Sequence, residues 1–420
     1  MPTELRKRVR VAEQRRALIA NAELRVCVVG LGYIGLPTAS LLGTKGCNVF
    51  GVDVSPEVVD TINQGRIHIV EPDLDMLVKC AVQAGKLRAG AEPIESDVFI
   101  LAVPTPIGAD KSPDLSMVEA AARSIAPHVR PGNLVILEST SPVGTTDDVV
   151  ARILREHGHE IGADVFVAYC PERVLPGRIL TELVENDRIV GGVDEASTQA
   201  ALEFYQSFVR GEVVATDART AEMVKLSENS FRDVNIAFAN ELSMICARAG
   251  VSVWEVIRLA NRHPRVKILA PGPGVGGHCI AVDPWFIVAG DPEHARLIRA
   301  AREVNDRKPG WVVERVRACA AQVREPVIAC LGLSFKADVD DLRESPAVEI
   351  VRELQRERVG RLLVVEPHLI SHPEFELARL EDAIARANIV LVLVDHKQFK
   401  RLRRDLLDEK LLVDTRGLFL

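Results

Sequence analysis

The sequence has no uninterrupted apolar run of about 18 residues, the length that a membrane-spanning helix requires. Its first 24 residues are rich in charge and lack the apolar segment of an export signal. The sequence therefore predicts a cytoplasmic protein without a membrane span. Residues 1–24 are expected to form an N-terminal extension, as a solvated helix ahead of the first domain.

Cysteine patterns that hold zinc are also absent. The eight cysteines include no Cys-x-x-Cys pair and no cysteine–histidine cluster with zinc spacing, so no metal site is predicted. In the cytoplasm these thiols should stay reduced, and most should be buried packing residues.

An excess of positive charge is lacking too. The net charge of −7 argues against non-specific binding to nucleic acid.

What the sequence does contain is a repeated alternation of short apolar segments and helical segments, which is typical of α/β domains with parallel sheets. The first alternation predicts a Rossmann-like doubly wound domain over 25–215, with strand candidates at 25–30, 48–53, 97–103, 134–138, 164–168 and 188–191. The second predicts a Rossmann-like α/β domain over 316–420, with strand candidates at 327–331, 362–365, 389–394 and 411–413.

A long helix should connect these two domains. Residues 220–249 contain neither glycine nor proline and are rich in helix-forming residues. A helix of about 30 residues is unusual inside an ordinary domain. We therefore expect a central helical domain over 216–315, in which this spine also carries a subunit interface.

A glycine-rich turn follows the first predicted strand. Gly30, Gly32 and Gly35 form the pattern G-x-G-x-x-G, and Asp53 stands 18 residues after the last glycine, at the end of the next strand. In this context the pattern predicts a dinucleotide site, with the pyrophosphate at the helix N-terminus and Asp53 on the adenosine ribose. The negative charge of Asp53 favours NAD over NADP. Thr105 and Thr140, in proline-flanked segments after two later strands, should border the same cofactor.

Two further segments suggest chemistry. Lys225, Asn229 and Arg232 fall within one stripe of the predicted long helix, where lysine and asparagine can hold an oxyanion or move a proton, or simply form a solvated face. Cys279 ends a loop with four glycines in six residues and stands four residues before Asp283. A nucleophilic thiolate explains such a cysteine better than packing does.

Together these features suggest an alcohol oxidised twice by NAD. Cys279 would trap the intermediate aldehyde as a thiohemiacetal, which a second oxidation converts to a thioester. Lys225 and Asn229 would hold the oxyanion, and Asp283 would activate the water that releases a carboxylate. A two-electron dehydrogenase of the hydroxyacid type and a non-catalytic nucleotide-sugar sensor are the alternatives.

Across residues 25–420 the chain resembles the UDP-sugar 6-dehydrogenases, also called the UDP-glucose/GDP-mannose dehydrogenase family. The resemblance rests on VVGLGYIGLP, AVPTP, ESTSPVG, YCPERVLPG, KLSENSFRDVNIAFANEL, NRHPRV, GPGVGGHCIAVDP and GLSFKADVDDLRESPA. CPERVLPG and NRHPRV are most similar to members that oxidise UDP-N-acetyl-D-mannosamine for bacterial surface polysaccharides. UDP-N-acetylglucosamine and UDP-glucose are the alternative substrates. Pro176 stands where UDP-glucose enzymes carry a second acidic residue, which favours an N-acetylated sugar.

The resemblance also implies roles for individual residues. Cys279 would be the nucleophile, Lys225 the acid/base, and Glu172 a carboxylate near the reaction centre. Residues that match sugar and diphosphate contacts are Arg173, Val174, Asn229, Arg232, Gly276, Phe335, Lys336 and Arg416. Residues that match NAD contacts are Tyr33, Ile34, Asp53, Thr105, Thr140 and Arg343. His263 and Arg265 match a loop that reaches the substrate of the neighbouring subunit, so a homodimer is implied.

Overall fold

The computed structural model describes residues 24–69, 71–175, 177–277 and 279–419. The predicted N-terminal extension lies outside these ranges except for Leu24, and so do Pro176 and the specificity argument that depends on it. The described chain divides into two compact units, with the boundary between Ser227 and Glu228. Within the described ranges, no helix combines the length and the apolar character needed to cross a membrane.

An eight-stranded sheet forms the centre of the first unit, in the order β3-β2-β1-β4-β5-β6-β7-β8. Neighbouring strands run parallel except for β6 and β7. The strands are β1 (Arg25–Val29), β2 (Asn48–Val52), β3 (Leu87–Gly90), β4 (Val98–Leu101), β5 (Leu134–Leu137), β6 (Phe166–Tyr169), β7 (Arg188–Gly192) and β8 (Val213–Asp217). The order of the first six is that of a dinucleotide-binding sheet, so the predicted doubly wound fold is confirmed.

Helices cover both faces of this sheet. Along β1, Val26 and Val28 are buried in one hydrophobic cluster, while Cys27 and Val29 are buried in another, because successive side chains of a strand point to opposite faces. The α-helices of the unit before residue 218 are Gly35–Thr44, Pro56–Asn63, Leu74–Gln83, Ser116–Ile125, Arg152–Glu156, Ile179–Glu185 and Glu195–Gln206. A 3₁₀ turn, Ala126–His128, and a π-helical turn, Thr146–Ala151, complete the set in the described part of this unit.

The two edge strands of the sheet, β3 and β8, were not predicted. In β3 the second residue, Arg88, is exposed, and in β8 both Val214 and Ala215 are exposed. An edge strand that is not buried on both faces does not need a continuous apolar run, so the pattern used to recognise the central strands did not detect these two.

The long helix spans Ala218–Ala249, close to the predicted 220–249. It begins after Asp217, whose carboxylate accepts hydrogen bonds from the backbone N–H (2.9 Å) and the hydroxyl (2.6 Å) of Thr220. It ends before Gly250, which has a φ of +71° and so supplies the left-handed residue that terminates many helices. The boundary between the two units falls inside this helix.

The second unit contains a four-stranded parallel sheet in the order β10-β9-β11-β12. Its strands are β9 (Val327–Leu331), β10 (Arg361–Val365), β11 (Ile389–Val392) and β12 (Leu411–Asp414), which confirms the second predicted α/β alternation. Its α-helices after the long helix are Val253–Ala260, Asp283–Gly290, Arg296–Ala320, Pro346–Arg356 and Leu380–Arg386, with 3₁₀ turns at Phe399–Arg401 and Arg404–Leu407.

A buried polar network joins the long helix to helix Arg296–Ala320 inside the second unit. Arg302 donates to the Asp233 carboxylate at 2.6 Å, and both side chains are almost fully buried. Asn305 donates to the same carboxylate at 2.8 Å and accepts from Asn240 at 2.9 Å. Because the Arg302 guanidinium and the Asp233 carboxylate pair with each other, the two helices can bury charge at their contact.

Lys308 is a buried amine on the same face of helix Arg296–Ala320. Its side chain is 2% exposed, donates to the Ser243 hydroxyl, and lies 4.0 Å from the centroid of the Trp311 ring. Burial lowers the pKa of Lys308 from 10.5 to about 7. Between these two pH values the unfolded chain holds a proton that the folded chain lacks, so the stability of the fold should rise with pH.

Lys308→Met should therefore raise the free energy of unfolding at pH 7, and this gain should shrink as the pH approaches 10. The free energy of unfolding of the variant, relative to that of the natural protein, should change by up to about 1.4 kcal/mol per pH unit. Denaturant unfolding measured from pH 7 to pH 10 tests this. Lys397→Met is the control, since the side chain of Lys397 is 78% exposed. A pH-independent difference for the Lys308 variant would contradict the expectation.

Candidate active site

The glycine turn of the first unit has the geometry that a dinucleotide requires. Gly30 has a φ of +92°, and a Cβ there would lie 2.6 Å from the Ala102 carbonyl oxygen. A Cβ on Gly35 would lie 1.8 Å from the Gly30 carbonyl oxygen. A Cβ on Gly32, by contrast, would meet nothing within 4 Å, so this glycine leaves an open face where a pyrophosphate can approach the backbone.

Asp53 holds this turn from the end of β2. One carboxylate oxygen accepts a hydrogen bond from the Leu31 backbone N–H at 3.1 Å, and the other accepts from the Ser55 N–H at 2.9 Å. Tyr33 and Ile34 are partly buried in the turn itself, directly before helix Gly35–Thr44. The predicted cofactor residues of this segment therefore lie together, around a helix N-terminus suited to a phosphate.

The two threonines predicted to border the cofactor lie side by side. The Thr105 hydroxyl donates to the Thr140 carbonyl oxygen at 2.6 Å, which joins the segments that follow β4 and β5. Glu222 of the long helix anchors the next part of the second segment, because its carboxylate accepts from the Thr146 N–H at 2.8 Å and from the Thr146 hydroxyl at 2.6 Å. Glu222 was not among the predicted site residues.

Lys225 contacts the segment that contains Glu172, Arg173 and Val174. Its Nζ donates to the backbone carbonyl oxygen of Glu172 at 2.7 Å. The Glu172 carboxylate is 7% exposed and accepts from the Arg188 guanidinium at 2.7 Å and from the Arg173 N–H at 2.7 Å. The structure thus brings Lys225 and Glu172 together, but the contact is made by the backbone carbonyl oxygen of Glu172. The Glu172 carboxylate instead forms a buried ion pair with Arg188, which was not predicted from the sequence.

In the second unit Cys279 lies four residues before the start of helix Asp283–Gly290 and is partly buried. Its carbonyl oxygen accepts from the Asp283 N–H at 2.8 Å, and the Asp283 carboxylate accepts from the Asn229 side-chain amide at 2.5 Å. Asp283 and Asn229 are 3% and 7% exposed. Cys279, Asp283 and Asn229, all predicted to be catalytic, therefore form one cluster. Arg232 is exposed on the long helix, three residues after Asn229.

The glycine loop before Cys279 packs against the segment after β9. A Cβ on Gly276 would lie 2.5 Å from the Glu344 carbonyl oxygen and 2.9 Å from the Cβ of Phe335. Gly277 has a φ of +84°, and its N–H donates to the Arg343 carbonyl oxygen at 3.1 Å. The glycines are needed because Phe335 and the backbone of residues 343–344 lie directly on the loop.

The cationic residues predicted in this unit differ in how they are held. Arg416 lies beside Gly272, whose Cβ would be 2.7 Å from a guanidinium nitrogen, and it donates to Asp395 at 2.8 Å. Burial opposes the ionisation of Asp395, but Arg416 outweighs it and the pKa falls to about 2. Arg343 donates to Asp341 at 2.9 Å, while Lys336 is exposed next to Phe335.

His263 and Arg265 are exposed in the loop after helix Val253–Ala260. The Arg265 N–H donates to the His263 ring at 3.3 Å. Their role toward a neighbouring subunit stays a prediction. The thiols are less uniformly buried than predicted: Cys27, Cys170, Cys246 and Cys330 are buried, Cys47, Cys279 and Cys319 are partly buried, and Cys80 is exposed.

One group with metal-ligand chemistry went unnoticed in the sequence. Single ligand atoms of Asp338, His368 and His396 lie within 4.8 Å of one another, in the three segments that follow β9, β10 and β11. The His396 ring, however, accepts from the Asp338 N–H at 2.9 Å through Nδ1, and its Nε2 lies 3.2 Å from the Glu366 carboxylate. Both ring nitrogens thus have protein partners, and the group is accounted for as a hydrogen-bonded support of the loop after β9.

The chain matches the models of one enzyme family along most of its length. The description "UDP-glucose/GDP-mannose dehydrogenase family" applies to three matched segments: the NAD binding domain over residues 24–209, the central domain over 219–307, and the UDP binding domain over 329–419. The chain is 59% identical to an NDP-N-acetyl-D-galactosaminuronic acid dehydrogenase of Ralstonia solanacearum, over 94% of this chain and 96% of that protein.

Two other relatives carry a different sugar in their names. A UDP-N-acetyl-D-mannosamine dehydrogenase of Escherichia coli K12 is 53% identical, over 94% of this chain and 99% of that protein. The solved structure of the UDP-N-acetyl-mannosamine dehydrogenase Cap5O from S. aureus is 45% identical, with a TM-score of 0.87 over 94% of this chain and 95% of that one. The chain therefore belongs to the UDP-glucose/GDP-mannose dehydrogenase family and is an NAD-dependent enzyme of that family.

Proposed function

We propose that the enzyme oxidises the C6 alcohol of UDP-N-acetyl-D-mannosamine to a carboxylate, in two successive oxidations. The observation that carries this proposal is the partly buried Cys279, held at the end of a glycine loop beside Asp283 and Asn229. A dehydrogenase that stops at the aldehyde needs no nucleophile of this kind, whereas one that proceeds to the acid needs a group to hold the aldehyde.

The chain supplies the groups for each step. NAD, held at the glycine turn and Asp53, would supply the hydride acceptor for each of the two oxidations. Lys225 would take the proton of the C6 hydroxyl, and the Cys279 thiolate would then add to the aldehyde carbon to form a thiohemiacetal. Loss of a second hydride leaves a thioester, and water releases the carboxylate and restores the thiol. Each sugar loses two hydrides and gains one oxygen from water. Asn229 would stabilise the oxyanion, and Asp283 would orient the water.

Further residues are proposed to bind rather than react. In the second unit, Gly276, Phe335 and Arg416 lie around the glycine loop, and Lys336 and Arg343 follow β9. Arginine and lysine suit a dianionic diphosphate, because they offer several donors to its oxygens. Arg173, Val174 and Arg232 are proposed as further substrate contacts, and Thr105, Thr140 and Asp53 as NAD contacts.

The second candidate substrate is a nucleoside diphosphate-linked N-acetyl-D-galactosamine, because the 59% identical relative is named an NDP-N-acetyl-D-galactosaminuronic acid dehydrogenase. The purified enzyme should be assayed by NADH release with UDP-N-acetylmannosamine, UDP-N-acetylgalactosamine, UDP-N-acetylglucosamine and UDP-glucose. We expect two NADH for each UDP-N-acetylmannosamine consumed. Release of one NADH per sugar would contradict the double oxidation. Turnover of another of these sugars, with none of UDP-N-acetylmannosamine, would contradict the proposed substrate. We place this reaction in the cytoplasm, where its product would serve surface polysaccharide synthesis.

We also propose that the enzyme is a homodimer built on the long helix. Phe231, Phe238 and Ile245 stand seven residues apart, in one stripe of this helix, and are 70%, 54% and 56% exposed. Three large apolar side chains exposed in a row are typical of an interaction surface. A second copy of the chain is the occupant that the family resemblance favours, and such a copy would bring His263 and Arg265 to its neighbour.

Phe238→Glu should convert this dimer to a monomer, because it places a charge at the centre of the apolar stripe. Light scattering after size-exclusion chromatography measures the mass directly. Ile370→Glu is the control, since Ile370 is fully exposed and lies far from this helix in the sequence. An unchanged mass for the Phe238 variant would exclude the stripe as the interface.

A further inference from the structure

A buried arginine lies behind the segment that contains Glu172. Arg188 is the first residue of β7 and is 2% exposed. Its guanidinium donates to the Glu172 carboxylate at 2.7 Å and to the Leu183 carbonyl oxygen at 3.2 Å. Nothing in the reaction described above uses this arginine, and an arginine buried to this degree is rare unless it is paired.

Glu172 connects Arg188 to the reacting lysine. Its carboxylate accepts from Arg188, and its backbone carbonyl oxygen accepts from the Lys225 amine at 2.7 Å. The carboxylate also accepts from the Arg173 N–H at 2.7 Å, which fixes the rotation of the peptide that follows. The direction of the carbonyl oxygen toward Lys225 therefore depends on where the side chain of the same residue is held.

We propose that Arg188 is a positioning residue for Lys225, acting through Glu172. By holding the carboxylate in the interior, it orients the carbonyl oxygen that holds the amine in place for proton transfer. This inference rests on the proposed function, in which Lys225 exchanges the proton of the C6 hydroxyl. It also gives Glu172 a role that differs from direct catalysis, since its carboxylate is turned toward Arg188.

The charges around Arg188 support this assignment. Burial disfavours the charged guanidinium, but Glu172 and the other acidic neighbours outweigh it and raise the pKa of Arg188. A second carboxyl nearby, Glu138, accepts from the Tyr205 hydroxyl at 2.7 Å, and burial raises its pKa to about 7. Glu138 is therefore only partly ionised at neutral pH. Glu172, in direct contact with the guanidinium, is left as the main counter-charge of Arg188.

Arg188→Lys tests the proposal while keeping the buried charge. We expect kcat to fall about 10²-fold with little change in the KM for NAD, because a displaced proton-transfer group slows chemistry more than cofactor binding. A double-mutant cycle with Glu172→Ala then separates positioning from general loosening. If Arg188 acts through Glu172, adding Arg188→Lys to the Glu172 variant should change kcat by less than about twofold. If the losses of kcat in the two single variants multiply in the double variant, the proposal is wrong.

Tyr205→Phe is the matched control. It removes the hydrogen bond to Glu138 in the same buried cluster and leaves the pair of Arg188 and Glu172 intact. Its thermal midpoint should fall, but its kcat should stay within about twofold of the natural enzyme. A loss of kcat equal to that of Arg188→Lys would show that loosening the cluster is sufficient, and the positioning role would be wrong.

Two measurements keep the outcomes distinct. Rates are expressed per folded site, and the number of folded sites is measured by titration with NAD. If the Arg188→Lys variant does not fold, Arg188→Gln replaces it in the double-mutant cycle. The natural enzyme is assayed first with the UDP-sugars. No NADH release from any of them would overturn the proposed function and this inference together. An active natural enzyme with an equally active Arg188→Lys variant would overturn the inference alone.

Discussion

Cys279→Ser should abolish the net formation of the carboxylate while leaving substrate and NAD binding intact. A serine hydroxyl has a far higher pKa than a thiol and is a weaker nucleophile than a thiolate, so the aldehyde would not be held for the second oxidation. We expect the turnover number for acid formation to fall by on the order of 10³-fold or more. Product analysis by mass spectrometry together with NADH release measures the two oxidations separately.

Cys319→Ser is the control for this prediction. Cys319 is partly buried, as Cys279 is, but it lies in helix Arg296–Ala320, and burial raises the pKa of its thiol. Its replacement should leave the rate of acid formation unchanged. In the natural enzyme, a quench during turnover should yield a sugar-nucleotide adduct on the peptide that contains Cys279. Full carboxylate production by the Cys279 variant would disprove the covalent mechanism.

Lys225→Met should lower kcat by about 10² to 10⁴-fold, the usual contribution of a positioned acid/base group. The reason is that Lys225 is partly buried on the long helix and its amine is held at 2.7 Å from the Glu172 carbonyl oxygen, where it can exchange a proton with a bound alcohol. Steady-state kinetics with UDP-N-acetylmannosamine gives kcat, and fluorescence titration gives the affinity for NAD, which should change little.

Lys225→Arg distinguishes proton transfer from simple charge. An arginine keeps the positive charge but cannot give up its proton near neutral pH, so this variant should be nearly as slow as Lys225→Met. Recovery of most of the activity with arginine would mean that the residue acts through its charge alone. Lys79→Met, on helix Leu74–Gln83 of the first unit, is a surface control that should leave kcat unchanged, since Lys79 is exposed.

Features that depend on short stretches of backbone were predictable from the sequence. The glycine turn, Asp53 and the long helix were found where the patterns indicated, since a left-handed glycine or an uninterrupted helical segment is determined by neighbouring residues. The edge strands β3 and β8 were missed, because a strand with an exposed face need not show a continuous apolar run.

Other features depended on which distant segments meet. No spacing in the sequence indicates that Arg188 faces Glu172, that Asn229 donates to Asp283 across 54 positions, or that His396 supports the loop after β9. Arg188 did carry one signal, a charged residue at the start of an otherwise apolar strand, but the signal did not name its partner. Only the packing of the chain determines these pairs.

By itself the sequence determined the alternation of the central strands with helices, the class of the fold, the dinucleotide turn and the identity of the candidate nucleophile. These follow from local conformational preferences and from the chemistry of single residues, which do not depend on long-range contacts. The tertiary structure decided which way each polar group points. It turned the Glu172 carboxylate toward Arg188 and its carbonyl oxygen toward Lys225, and it placed Phe335 on Gly276. A buried polar group must find a partner, and its partner is set by packing between segments far apart in the chain.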